Sequence, residues 1–181
     1  QKMWVDLMKE NPSHFQWPTH GDHPVENIVW WQAIEYANRL SIKMGLTPAY
    51  DFDEKTGVVK INAPDGNIYC ANGYRLPTSA EAEYMLRAAG KANGTEPFGD
   101  SKADLASHAW YEANSDKKTH PVAELKPLII DGKDFYDLHG NVWEWTNDWF
   151  GQLQGGEDPQ GQKSGSVRAI RGGSWFNVAR D

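Results

Sequence analysis

Two carboxylates, Asp137 and Glu144, stand seven residues apart around a glycine in the run Asp137-Leu-His-Gly140-Asn-Val142-Trp-Glu144. A hard cation such as Ca²⁺ takes mixed carboxylate and carbonyl oxygens. The two side chains, with the main-chain carbonyls of Gly140 and Val142 between them, could form such a loop. The same spacing suits a capped turn with no metal, and the pattern alone leaves both readings open. Other chemistry is poorly supplied. His14, His20, His23, His108, His120 and His139 are scattered, with no i, i+4 pair and no His–Glu helix motif, so they are expected to be hydrogen-bonded or surface histidines. Cys70 is the only cysteine. It lacks a neighbouring His or basic cluster, and it excludes both an intrachain disulfide and a Cys-based zinc site. No glycine-rich phosphate loop follows a strand.

Two Trp-rich blocks, Gly140-Asn-Val-Trp-Glu-Trp145 and Arg171-Gly-Gly-Ser-Trp175, frame a long polar loop that cannot build a core of its own and must lie over a rigid scaffold. Gly172-Gly173 allow close backbone approach or positive φ. Trp143, Trp145 and Trp149 share one parity, as in a strand with one buried face, and Trp143, Trp145 and Trp175 are expected to be core residues.

The elements that must position these blocks are short. Trp4, Leu7 and Met8 define a first helix, stopped at Asn11-Pro12-Ser13. Trp31, Ile34, Ala37, Leu40, Ser41 and Met44 give a second helix an apolar stripe that ends at Gly45. Val58–Ile61, a Pro64-Asp65-Gly66 turn and Ile68-Tyr69 predict short strands between Tyr50 and Tyr69. Thr78 with Glu81 is a capping box that opens a third helix, which carries Ala82, Met85, Leu86 and Ala89 inward and ends at Gly90. Residues 91–134 have no sustained period and are expected to be loops and short strands. The result is an α+β chain with two main helices, short strands and long irregular loops.

At 181 residues the chain is long enough for one domain with its own core. Nine Trp in a chain of mean hydropathy −0.70 mean that a few large aromatics do the packing under a polar surface. A net charge of −7 argues against nucleic acid or an anionic membrane as the main ligand. No apolar run reaches the length of a membrane span, and the chain opens on Gln without a signal peptide.

Several stretches together resemble the formylglycine-generating-enzyme (sulfatase-modifying factor) family, whose domain is an elaborated C-type-lectin-like fold. They are Trp4…Met8…Asn11-Pro-Ser13, Pro24-Val25-Glu-Asn-Ile-Val29-Trp, Gly73-Tyr-Arg-Leu-Pro-Thr78…Glu81-Ala-Glu-Tyr84, Thr119-His-Pro-Val122, Gly140-Asn-Val-Trp-Glu-Trp145 and Arg171-Gly-Gly-Ser-Trp175, in family order. Ala82 replaces a Trp usual in the family. The resemblance implies one domain over 1–181, cut at both ends relative to the family pattern. It also implies structural Ca²⁺ at Asp137, Gly140, Val142 and Glu144. A second family calcium site finds no match around Ala109–Asn114. Family oxidases use a copper-binding cysteine pair whose first member falls two residues after the Trp of Gly-Gly-Ser-Trp. Asn177 stands at that position here. Without a thiolate there is no soft ligand for Cu(I) and no thiol for exchange, so no copper and no oxidase activity are expected. The family's His-bound-iron sulfoxide synthases take their iron from an extra helical domain that this chain does not contain.

The tail is also similar to the start of the variable region in proteins diversified by retroelements, where Arg-Gly-Gly-Ser-Trp is followed by several Asn around an Ala and only adenines mutate. An AAY codon altered at its adenines yields Phe, Val, Arg or Asp. Those residues stand at Phe176, Val178, Arg180 and Asp181, with Asn177 unaltered and Ala179 in the fixed place. The resemblance implies a non-catalytic display protein whose ligand surface is Phe176, Asn177, Val178, Arg180 and Asp181, with Ser174, Trp175 and Ala179 pointing inward. Its alternative is a sulfatase-modifying-family oxidase. The expected partner is a protein or surface ligand, engaged by a monomer at the cell surface or in an extracytoplasmic compartment.

Overall fold

The computed structural model describes residues 1–16, 22–53, 55–88, 102–153 and 155–179, with Lys102 and Ala103 described by backbone alone. Within them, three antiparallel hairpins and four helices alternate with long connections. The helices are α1 (Lys2–Met8), α2 (Trp30–Lys43), α3 (Ser79–Leu86) and α4 (Lys102–His108). The strands are β1 (Tyr50–Asp53) with β2 (Val58–Ile61), β3 (Leu128–Ile130) with β4 (Lys133–Phe135), and β5 (Glu144–Trp149) with β6 (Arg168–Arg171). The fold class is α+β, as expected. Among the described residues no helix is long and apolar enough to cross a membrane.

The core gathers where α2 lies against β1 and β5. Trp30, Ile34, Ala37, Ala49, Tyr50 and Ile68 are buried together, with Leu76 and Trp145 packed on them. Polar groups lock this apolar layer. Trp30 donates its indole N–H to the Thr146 carbonyl at 2.9 Å. Tyr50 donates its hydroxyl to Asn147 and accepts the Leu76 N–H. Burial in that layer pushes the Tyr50 phenol up to about 12.

The α2 stripe differs from the expected one. Its buried face runs through Trp30, Ala33, Ile34, Ala37 and Ser41, while Trp31 and Met44 are exposed. Apolar residues surround the helix start, so periodicity alone could not phase it. The partners decide: Trp31 stacks on Phe52 with centroids 4.9 Å apart, and Trp30 takes the core.

The capping box of α3 is present, with Glu81 N–H donated to Thr78 Oγ1 and Thr78 N–H to Glu81. Glu81 also accepts both terminal nitrogens of Arg75 at 2.6 and 2.8 Å. This bidentate pair ties the Arg-Leu-Pro-Thr segment to the helix it opens. The helix ends at Leu86, and the expected stop at Gly90 lies outside the described residues. Ile68-Tyr69 sits in a 3₁₀ turn, Ile68–Cys70, rather than a strand, because Asn67 caps it by accepting the Tyr69 N–H. The region expected to lack helix contains α4, a seven-residue helix too short to show a period.

The β5 parity is reversed. Thr146 and Asp148 are the buried residues, and Trp145 and Trp149 are only half-buried. The buried face is polar and bonded. Thr146 Oγ1 donates to the Ala169 carbonyl and lies 3.1 Å from Ser79 Oγ, and Asp148 Oδ2 accepts the Ser79 N–H at 2.7 Å. Trp143, expected in the core, is 44% exposed.

Candidate functional site

The segment after β6 is held from three sides by main-chain atoms. Gly140 N–H donates to the Gly172 carbonyl at 2.8 Å, and Trp175 N–H to the Asn141 carbonyl at 2.9 Å. Glu112 N–H donates to the Asn177 carbonyl at 3.0 Å. Ser115 Oγ adds a bond to the Trp175 carbonyl at 2.8 Å. Gly140 makes this convergence possible. At φ 77° it runs beside Trp110, and a Cβ there would overlap the Trp110 carbonyl. Asn141, 1% exposed, is the post behind the clamp: its side-chain oxygen accepts the His120 N–H and its amide donates to the His120 carbonyl.

On this frame the side chains alternate. Phe176 is 71% and Val178 64% exposed. Ser174 is buried, and Trp175 and Ala179 are half-buried. Trp175 meets Phe15 edge to face, with centroids 5.5 Å apart. Asn177 departs from the expected free side chain, being half-buried with its oxygen accepting the Ser174 hydroxyl at 2.7 Å. Arg180 and Asp181 lie outside the described residues. Sequence reading missed the loop from Ala109 to Ser115 that supplies two of the clamps. One clamp is the Glu112 backbone N–H, which leaves no signature in residue type, and the other is a single Ser115 hydroxyl, which no motif marks.

The carboxylate pair flanks the same turn. Asp137 has φ 56°, and its oxygens accept the Ala123 N–H at 2.8 Å and the Asn141 amide at 3.4 Å. Glu144 begins β5 at the mouth of an apolar groove of about 830 Å³, which Val142, Trp143, Trp145, Trp175 and Phe176 help to line. Part of the side chain is exposed at the groove mouth, and the groove wall crowds the rest. That desolvation, and then the Asp137 charge, push its carboxyl up to about 7.

Cys70, exposed in its 3₁₀ turn, lines neither the groove nor the clamp. At the position of the family's first catalytic cysteine, Asn177 is bonded to Ser174.

An α+β scaffold with this capped Arg-Leu-Pro-Thr helix and this glycine-clamped tail is that of the formylglycine-generating type. The chain belongs to the sulfatase-modifying factor enzyme 1-like domain family, whose profile matches residues 1–181. It is 32% identical to the chaperone protein LppX of Paenibacillus barcinonensis over 98% of this chain and 66% of that protein. It is 30% identical to the formylglycine-generating enzyme of Mus musculus over 87% of this chain and 45% of the enzyme. The chain thus spans between under half and just under two thirds of the length of these relatives. Among solved structures, Treponema denticola variable protein 1 superposes with a TM-score of 0.78 at 35% identity, over 98% of this chain and 71% of that one.

Proposed function

We propose that this chain is a non-catalytic display scaffold that binds a protein or surface ligand through the side chains that follow Trp175. The observation that carries this reading is how the segment is fastened. Its main chain is fixed by Gly140, Asn141, Glu112 and Ser115, while Phe176 and Val178 project outward and are mostly exposed, Phe176 meeting the Trp175 ring edge to face. A backbone ordered in advance lowers the entropy cost of binding, and exposed aromatics are frequent hot spots. The likeness to the treponemal variable protein supports the same reading. The ligand surface is Phe176, Asn177 and Val178, continued by Arg180 and Asp181, and it works at the cell surface or outside the cytoplasm. Asn177 is the exception within it, since a replacement without a side-chain acceptor, such as Phe or Val, forfeits the Ser174 bond. Oxidase chemistry like that of the murine relative would need a thiolate at position 177, and Asn177 supplies none.

Replacing Phe176 and Val178 together by Ala is expected to change stability by less than about 0.5 kcal/mol. The same pair should lower ligand capture by a factor of roughly 30 or more. Thermal melting, beside capture from a displayed library of extracellular proteins, measures both. A variant that melts early while still capturing the wild-type ligand makes these residues structural and ends the display reading.

The carboxylate turn is proposed as a structural Ca²⁺ site formed by Asp137 and Glu144 with the carbonyls of Gly140 and Val142. The fit rests on charge. Two neighbouring carboxylates, one held up to about 7 by burial and by the other, gain most from a divalent cation. Calcium at about a hundred times its Kd should add roughly 2.7 kcal/mol, or about 5–10 °C in melting temperature for a domain of this size. Identical melting in calcium and in chelator removes the site.

A further inference from the structure

The apolar groove beside the tail has a chemistry of its own. Its walls carry four aromatic rings, Trp143, Trp145, Trp175 and Phe176, and two carboxylates, Glu26 and Glu144, with no Lys, Arg or His among the described lining residues. Two of the rings are fixed in orientation. Trp145 donates its indole N–H to the Ile28 carbonyl at 3.1 Å, and Trp175 meets the Phe15 ring edge to face. Trp175 and Phe176 stand at 72° with centroids 5.6 Å apart, which makes a corner of two aromatic surfaces. Trp143 and Phe176, both exposed, leave ring area open to a ligand. Leu76, Pro77 and Ile170 add apolar wall.

Glu144, at the mouth, belongs to the carboxylate turn, so Glu26 is the charge of the groove itself. One Glu26 oxygen accepts the Phe15 N–H at 2.8 Å. The other has no hydrogen-bond or ion-pair partner among the described residues, and it is not enclosed, since the side chain is only half-buried. A lone carboxylate in an aromatic wall sets up a field that favours a cation, and the ring faces add to it through their quadrupoles. The walls suit a cation that needs few hydrogen bonds. An ammonium or guanidinium brings several N–H donors, but the acceptors here are largely committed: the Ile28 carbonyl to Trp145, and Ser174 to Asn177. A hard metal ion would have to give up water for oxygen ligands that aromatic walls do not supply. A quaternary ammonium spreads its charge over alkyl groups and donates no hydrogen bond, so it loses little on leaving water for ring faces.

We propose that this groove binds a small quaternary ammonium cation, whose alkyl groups lie against the Trp143, Trp175 and Phe176 rings and whose charge is balanced by Glu26. A free cation fits better than a choline lipid headgroup, because a phosphate on the same molecule would face Glu26 and Glu144. The site shares Trp175 and Phe176 with the display surface but does not depend on what that surface captures.

The test is titration calorimetry of the whole chain with choline, phosphocholine, methylammonium and the neutral carbon isostere of choline, in which a tert-butyl group replaces the trimethylammonium. Choline is expected to bind at millimolar or lower concentration. The isostere, phosphocholine and methylammonium should each bind at least about tenfold more weakly. Trp143→Ala, at an exposed position, should keep the fold and weaken choline by about fivefold. Glu26→Gln keeps an oxygen for the Phe15 N–H. It should leave the melting temperature nearly unchanged, weaken choline by about fivefold or more, and leave the isostere as it was. An isostere that binds the wild type as tightly as choline overturns the proposal in favour of a plain apolar groove. Phosphocholine binding as tightly as choline overturns it in favour of a lipid headgroup. The absence of binding by all four probes overturns it in favour of a hydrated groove. Each of these failures leaves ligand capture by the Phe176 and Val178 variant to be judged separately, so the display reading does not fall with it.

Discussion

Replacing Gly140 by alanine is expected to cost roughly 3–5 kcal/mol and to release the segment that carries Phe176 and Val178. Two penalties combine. The residue has φ 77°, where an L side chain is strained, and its Cβ would run into the Trp110 backbone, which no rotamer change can move aside. Relief requires Trp110 and the Gly140 turn to separate. That movement breaks the bonds from Gly140 to Gly172 and from Asn141 to Trp110. Chemical denaturation should show the loss of stability. Hydrogen exchange should show early opening of the Gly172, Trp175 and Asn177 segment relative to α2. A substitution that is tolerated within about 1 kcal/mol would mean that the clamp is loose and that the tail is ordered by something else. Gly73 offers a control elsewhere in the fold, since a Cβ there would also meet backbone, at Thr47, but far from the tail.

The second large effect concerns which tryptophan is the keystone. Trp30→Ala is expected to lose about 3–5 kcal/mol, because it empties the centre of the core, strips Thr146 of its indole partner and removes one of the two indoles stacked on the Arg168 guanidinium. Trp143→Ala, at a residue 44% exposed, should lose about 1 kcal/mol or less. Urea melts of the two variants measure the contrast. Equal losses would place Trp143 back in the core and reverse the assignment.

That contrast marks how far the sequence could be read. The helix starts were legible where the signal is local: Thr78 with Glu81 caps α3 as its spacing requires, and Asn11-Pro12 follows the end of α1. The fold class and the family were legible because the motif blocks keep their order. Burial of individual aromatics was not. Trp30 and Trp31 are adjacent, and only the positions of Thr146 and Phe52 choose between them. The exposure of Phe176 and Val178 could be anticipated from the residue types that the positions must accept, whereas Asn177, expected on the same surface, is half-buried. The Asn177–Ser174 bond could not, because it belongs to a turn closed by the Asn177 N–H on the Ser174 carbonyl, which no residue type announces. The carboxylate turn was visible as spacing, whereas the groove that desolvates Glu144 comes from segments more than a hundred residues apart.

The polar face of β5 has one more consequence, for errors of pairing. In most half-buried strands an apolar row sets the alignment, and a slip by one residue is opposed only by exposing that row. In β5 the buried row is Thr146 and Asp148, and each answers to a named partner at Ser79 or Ala169. A one-residue slip would turn Trp145 and Trp149 into that space, leave the Ser79 N–H without its carboxylate, and take one indole off Arg168. Burying two indoles there would not restore those hydrogen bonds. The pairing of β5 with β6, which shifts register between Trp145 and Trp149, is therefore set by hydrogen bonding at Thr146 and Asp148 more than by an apolar row.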